Sequence, residues 1–214
     1  MMSLLLCSVL LQQEPTYAEL SRKHGLGAAD LLMRDGKYLE AAVAYRNILL
    51  TPGDREAVRV PLALALLAKG DAAYAGVEIR RAQMLYPDFS RLVIDPADLF
   101  KSKGVLAKAT EAALARESDG EAAEVNAVAA YAFFLEGERE RAQSALAKYA
   151  QSRGADGYVR DLKAALAKGP APKPLAVATA AAAPTPQPRG GEPVRAGVRF
   201  IEPDVRPRGE TLAR

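Results

Sequence analysis

The fold is decided by residues 28–54, which read AADLLMRDGKYLEAAVAYRNILLTPGD. Apolar residues recur at helical spacing on both sides of Gly36, so the stretch predicts two helices joined by a tight turn. The second helix should end at Pro52, because the residue before a proline is driven away from helical geometry. The same pattern returns in residues 62–88, LALALLAKGDAAYAGVEIRRAQMLYPD. The chain therefore repeats a helical hairpin.

Four turn glycines set the period, and Gly36, Gly70, Gly104 and Gly137 lie 34, 34 and 33 residues apart. Each should occupy the left-handed conformation that reverses the chain, which glycine adopts at low cost. An alanine follows each glycine by five positions, and a packing residue comes four positions later. The residues that define the repeat are Gly36, Ala41, Tyr45, Pro52, Gly70, Ala75, Ile79, Pro87, Gly104, Ala109, Gly137 and Ala142.

The alanines should lie where two antiparallel helices cross most closely, since a larger side chain would force them apart. A single hairpin cannot bury its apolar face alone, so neighbouring hairpins must stack. The middle of the chain is rich in Ala, Leu, Glu, Lys and Arg, which favours an all-α domain over residues 16–168.

These residues resemble the tetratricopeptide repeat family, whose units are helical hairpins of 34 residues. The first unit matches its pattern at Gly36, Tyr38, Ala41, Tyr45 and Pro52. The resemblance implies a right-handed solenoid of about four repeats, of which the third is degenerate. It also implies that the first helices of the hairpins line a concave groove for a partner segment.

The third unit departs from the pattern because Pro96 interrupts its first helix. We expect an extended stretch over 89–94, a short helical turn over 96–100 and a helix over 105–117. Elsewhere one helix should run from Thr16 to about Arg34, and an end helix over 157–168 should turn Tyr158, Leu162 and Leu166 inward.

The two ends of the chain differ from the repeats. Met1 to Leu11 is almost purely apolar but too short for a typical membrane span, which favours a signal or anchor segment within residues 1–15. We therefore expect an exported, periplasmic or membrane-tethered protein rather than a cytoplasmic one; packing of this segment on the first hairpin is the alternative. Residues 169–214 are rich in proline and alanine and predict a disordered tail.

The sequence contains few residues that could form a catalytic or metal-binding site. His24 is the single histidine and Cys7 the single cysteine, so no metal-ligand set is visible and no cofactor is expected. Asp95 and Asp98 fit the capping of a short helical turn better than acid–base catalysis. The formal charge of +3 argues against nucleic acid as a partner. We expect no enzymatic activity.

The resemblance places an apolar partner groove on the first helices. It would be formed by Leu26, Asp30, Met33, Val60, Leu64, Leu67, Tyr131 and Phe134. Such a groove suits an amphipathic helix or an extended apolar peptide, unless the N-terminal segment or residues 89–94 fold over it. The functional hypothesis is a non-catalytic scaffold or adaptor for a protein or peptide partner. The alternative is a structural accessory of a cell-envelope assembly, with membrane contact only through residues 1–11.

Overall fold

A computed structural model describes residues 17–53, 55–86, 89, 94–102, 104–118 and 120–168, and within these residues the chain is all helical. A 3₁₀ turn at Glu56–Val58 precedes the fourth helix. The helices are α1 (Tyr17–His24), α2 (Gly27–Arg34), α3 (Tyr38–Leu49), α4 (Arg59–Lys69), α5 (Ala72–Leu85), α6 (Pro96–Leu99), α7 (Val105–Ala115), α8 (Ala122–Leu135), α9 (Arg139–Arg153) and α10 (Gly157–Lys168).

Three hairpins share one turn geometry, namely α2–α3, α4–α5 and α8–α9. Their turn glycines, Gly36, Gly70 and Gly137, all have positive φ, between 76° and 98°. The residue after each glycine donates its backbone N–H to the carbonyl five positions earlier, at 2.8–2.9 Å. This bond is the mark of a Schellman motif, which satisfies carbonyls left free at a helix end. The predicted role of these three glycines is confirmed.

The same turn corrects the prediction of one helix from Thr16 to Arg34. The Leu26 N–H donates to the Ser21 carbonyl at 2.8 Å, and Gly25 has a φ of 68°. α1 therefore ends at His24, and α2 begins at Gly27. Glycine is the weakest helix former after proline, so two glycines within three residues favour this break.

The repeat phase holds in these three hairpins and fails in the third unit. Ala41, Ala75 and Ala142 are fully buried at the predicted crossings. The packing positions Tyr45, Ile79 and Leu146 are buried as well. In contrast, Ala109 and Ala113 of α7 are only partly buried.

The order of packing explains this difference. α3 packs against α4, and α5 packs directly against α8, so α8 lies where the first helix of a third unit should be. α7 packs against α4 and α8, and α6 packs against α2. The degenerate third unit is therefore not stacked between the second and the last hairpin. Pro96 leaves that unit a first helix of only four residues, which is too short to form a layer.

α5 and α8 approach closely at Gly76. A Cβ atom at this position would lie 2.0 Å from the backbone oxygen of Glu124 and 2.7 Å from its Cα. No side chain fits in that space, so only glycine permits this crossing. Glycine has a lower helical propensity than other residues, but at this position it allows α8 to pack directly against α5.

Two buried carboxylates tie the helices together around this crossing. Glu124 of α8 accepts from Arg80 of α5 at 3.0 Å and from Arg153 of α9 at 2.7 Å. Glu78 of α5 accepts from Arg59 of α4 at 2.7 Å and from Arg81 at 2.8 Å. A carboxylate so buried is tolerated because cationic donors compensate its lost hydration.

α4 and α8 are the central helices of the structure. Nearly every residue of α8 from Ala123 to Phe133 and of α4 from Val60 to Leu67 is buried, as expected for helices covered on several sides. The end helix α10 packs on α5 and α9. Its Tyr158, Leu162 and Leu166 are buried, which confirms the prediction for these three side chains.

Several predictions lie outside the described residues. They are the signal, anchor or packing role of residues 1–15, the disordered tail over 169–214, and the helix-ending Pro87. The short helical turn after Asp95 is confirmed: it is α6, and the Asp95 carboxylate caps it by accepting from the Ala97 N–H at 2.9 Å.

We expect Gly76→Ala to lower the free energy of unfolding by about 3 kcal/mol or more, because the new Cβ forces α5 and α8 apart. Urea titration followed by circular dichroism measures the change. Gly27→Ala is the matched control, since a Cβ there meets no atom within 4 Å. Equal stabilities of the two variants would contradict the close crossing.

Candidate functional site

The predicted groove residues are not open to a partner. We call the side of α2, α4 and α8 on which α6 and α7 lie the first-helix face. Phe134 is partly buried, whereas the other seven predicted residues, Leu26, Asp30, Met33, Val60, Leu64, Leu67 and Tyr131, are at most 3% exposed. In this structure the protein's own chain packs over these helices, so these seven side chains are not exposed.

The segment before α6 also packs over these helices at Phe89 and Ile94. The alternative prediction was that residues 89–94 fold over the groove. The ring of Phe89 stacks on Tyr131 with the centroids 5.1 Å apart, and it lies 6.1 Å from the ring of Tyr158. Ile94 is fully buried. Residues 90–93 lie outside the described part, so the cover is established at its two ends.

Asp30 is part of a buried hydrogen-bond cluster rather than a ligand contact. Its carboxylate accepts from Tyr17 at 2.7 Å, Tyr45 at 2.6 Å and Ser21 at 2.6 Å. These three hydroxyls belong to α1 and α3, so the cluster joins the first three helices. Burial and then the nearby Tyr45 and Asp30 raise the pKa of Tyr17, while burial and Asp30 raise the pKa of Tyr45.

Removal of one hydroxyl from this cluster should destabilise the chain without loss of packing volume. We expect Tyr45→Phe to lower the free energy of unfolding by about 2 kcal/mol, the usual scale for a hydrogen bond to a charged group. Denaturant unfolding measures it. Tyr74→Phe is the control, because Tyr74 is 42% exposed and should change stability little. A negligible effect at Tyr45 would contradict the cluster.

Alkaline pH should unfold the protein through its buried phenols. Burial raises the pKa values of Tyr17, Tyr45, Tyr131 and Tyr158. A raised folded-state pKa contributes stability below the unfolded value of about 10 that is lost as the pH rises above it. Each phenol should therefore cost about 1.4 kcal/mol per pH unit above pH 10. Exposed tyrosines such as Tyr74 should ionise while the chain is folded, whereas the absorbance of these four tyrosinates should appear only with loss of helix. Ionisation of the four buried phenols in a folded chain would contradict the burial.

An open cleft lies on the opposite side of the hairpins, between α3 and α5. This α3–α5 cleft has a volume of about 300 Å³. Its apolar residues Leu39, Val43 and Tyr74 are 54%, 49% and 42% exposed. The residues that line it are Leu39, Ala42, Val43, Arg46, Leu66, Lys69, Asp71 and Tyr74.

Among the described residues, large exposed apolar side chains are concentrated in the first two of the three hairpins and the helices that form them. In the part of the chain that the structure describes, all seven exposed large apolar residues fall between Leu31 and Leu85. Seven positions after the turn glycine, α3 and α5 carry Val43 and Val77, whereas α9 carries Ser144. Fourteen positions after it, Leu50 and Met84 correspond to Gln151 of α9. The apolar stripe is therefore present on the first two of these hairpins and absent from the third.

The rim of the cleft is basic. The guanidinium carbon of Arg46 lies 5.5 Å from the centre of the Tyr74 ring, a cation–π arrangement that leaves its charge near the apolar floor. Within the described residues Arg46 forms no ion pair with a carboxylate. The Lys69 ammonium is 3.5 Å from Asp71, and both side chains are partly exposed.

Across residues 17–168, leaving aside the positions that the structure does not describe, no three His, Cys, Asp or Glu side chains come together as a metal site. α9 is the longest helix at 15 residues, and none of the described helices has the length and apolarity needed to cross a membrane.

Sequence reasoning missed the α3–α5 cleft and Gly76. The cleft could have been suspected from the sequence of α3, YLEAAVAYRNIL, which has more apolar residues than one buried helix face requires. Gly76 offered another, since a glycine inside a helical pattern points to a close backbone approach.

Comparison of the chain with protein-family models, curated proteins and solved structures finds no match.

Proposed function

We propose that the protein is a non-catalytic protein–protein interaction scaffold, built as a short right-handed solenoid of tetratricopeptide-like hairpins. The observation that carries this proposal is the α3–α5 cleft, whose apolar floor is open while the first-helix face is covered. Three hairpins with one turn geometry and one set of buried alanines support the solenoid.

The cleft favours an amphipathic helix as the partner segment. Four exposed residues follow each other along α3 and its C-terminal cap at steps of four, three and four, which is the spacing of a helix–helix seam. They are Leu39, Val43, Arg46 and Leu50. A partner helix can lay an apolar face on Leu39, Val43 and Tyr74. Arg46 then offers its guanidinium to an acidic side chain at the edge of that helix.

The lining suits binding better than catalysis. It contains one carboxylate, Asp71, which lies beside Lys69, and no side chain that could act as an activated nucleophile with a general base. Leu66 and Ala42 form an apolar floor, which excludes water but offers no group to transfer a proton.

The test is selection of helical peptides from a random library on the full chain, followed by affinity measurements on variants. We expect selected peptides to combine an apolar stripe with Asp or Glu. Val43→Glu should weaken their binding by about 30-fold, on the scale of an interface hot spot, because it places a charge among the exposed apolar residues of the cleft. Arg46→Ala should weaken it by about tenfold and reduce its salt dependence.

Ser144→Glu is the matched control, since Ser144 is the exposed residue of α9 that corresponds to Val43. It should leave the affinity unchanged. Selected peptides that bind the Val43→Glu and Ser144→Glu chains equally well would place the interface elsewhere and overturn the proposal.

A further inference from the structure

A second apolar patch lies at the ends of α3 and α5 that are farthest from the turns of their hairpins. We call it the far-end patch, and it consists of Leu50, Met84 and Leu85, which are 79%, 64% and 50% exposed. Leu50 and Met84 each come fourteen positions after the turn glycine of their hairpin, so they lie at the same end of the stack. These three side chains do not line the α3–α5 cleft. Met84 is about 15 Å along α5 from Tyr74, so it lies beyond the cleft.

The third hairpin lacks this patch. Fourteen positions after Gly137, α9 carries Gln151, which is exposed to solvent like Leu50 and Met84. Leu50 and Met84 are also the two most exposed large apolar side chains in the part of the chain that the structure describes. An exposed position at this end of the stack therefore does not require an apolar residue, and clustered apolar residues there favour a surface that a partner covers.

The far-end patch is large enough for a small protein–protein interface. At these exposures its side chains present on the order of 400 Å² of apolar surface, within the range of functional patches on monomers. The smallest stable interfaces bury about 600 Å² on each partner, of which slightly more than half is apolar. Such an interface requires about 350 Å² of apolar surface on each partner, and the far-end patch supplies it.

The charges beside the far-end patch do not oppose contact between two copies. One turn before the patch, α3 carries the uncharged Asn47. On α5, Arg81 is paired with Glu78 at 2.8 Å, which offsets its charge. The Arg46 guanidinium lies over the ring of Tyr74, on the side of the cleft. Two copies can therefore bring their patches together without placing unpaired like charges directly opposite each other.

We propose that the far-end patch is the contact surface of a homodimer, so that its occupant is a second copy of this chain. Closed oligomers are most often two-fold, and a two-fold interface uses the same patch on both copies. An apolar patch of low charge fits its own copy in this way. A two-fold axis between the ends of α3 and α5 sets Leu50 of one copy against the partner's Met84, and the reverse contact repeats beside it.

The dimer holds two α3–α5 clefts in one assembly, because the far-end patch lies outside the lining of the cleft. A partner with two suitable helices then binds both clefts, which raises its apparent affinity through effective concentration. This consequence rests on the proposed function, whereas the dimer itself does not.

Sedimentation velocity of the full chain, between about 1 and 100 µM, tests the dimer. We expect a monomer–dimer equilibrium with a dissociation constant in the micromolar range, as for interfaces of the smallest stable size. The double variant Leu50→Glu, Met84→Glu should raise that constant at least about 100-fold, because it places carboxylates of both copies in an apolar contact. Gln151→Glu is the matched control at the corresponding position of α9 and should leave the constant unchanged.

A charge-complementation experiment tests the two-fold contact. Chains with Leu50→Lys and Met84→Lys are mixed in equal amounts with chains that carry Leu50→Glu and Met84→Glu. The mixture should associate at least about tenfold more tightly than either variant alone, because each cation then faces a carboxylate. Circular dichroism should show the same helix content in all variants, since these side chains are exposed. Association of the mixture no tighter than that of either variant would overturn the proposal.

A parent chain that stays monomeric at about 100 µM would overturn the proposal, as would a dimer that the Leu50→Glu, Met84→Glu variant leaves intact. A monomer that binds phosphatidylcholine vesicles, and loses that binding in the same variant, would assign the patch to a lipid surface instead. Peptide binding in the cleft is read separately through Val43→Glu. Failure of the dimer and failure of the cleft are thus distinguishable.

Discussion

The crossing of α5 and α8 at Gly76 is the contact on which the rest of the structure depends. Because no side chain stands between the two backbones, α8 takes the place beside α5 that the sequence period reserves for a third unit. α6 and α7 are then excluded from the stack and lie against α2, α4 and α8. The pairing of Glu124 with Arg80 and Arg153 secures the same junction from three helices.

This displacement gives the two sides of the hairpins different properties. The first-helix face is covered, and its apolar residues belong to the core. The side formed by α3 and α5 keeps Leu39, Val43 and Tyr74 exposed beside an Arg46 charge. Exposed apolar residues on a small helical domain cost solubility, so their concentration on two neighbouring helices favours a binding role for that side.

Local features could be predicted from the sequence, whereas neighbour relations could not. The turns at Gly36, Gly70 and Gly137 follow from local backbone chemistry, and the burial of Ala41 and Ala75 follows from the geometry of one hairpin. Gly104 kept the period and also has a positive φ, yet its helix lies outside the stack. The spacing of the glycines predicts where each turn occurs, but it does not predict which helices pack against each other. The burial of Asp30 could not be predicted, because its hydrogen-bond partners Tyr17 and Tyr45 lie 13 and 15 residues away in the sequence.

The measurement that tests this account most directly is a nuclear Overhauser experiment on the full chain with labelled glycine. A Gly76 α proton should show cross-peaks to backbone protons of Glu124, because the two backbones are in contact at this point. Cross-peaks from Gly76 to residues between Phe89 and Gly104, with none to α8, would mean that the third unit stands in the stack after all. In that case the covered first-helix face would be contradicted.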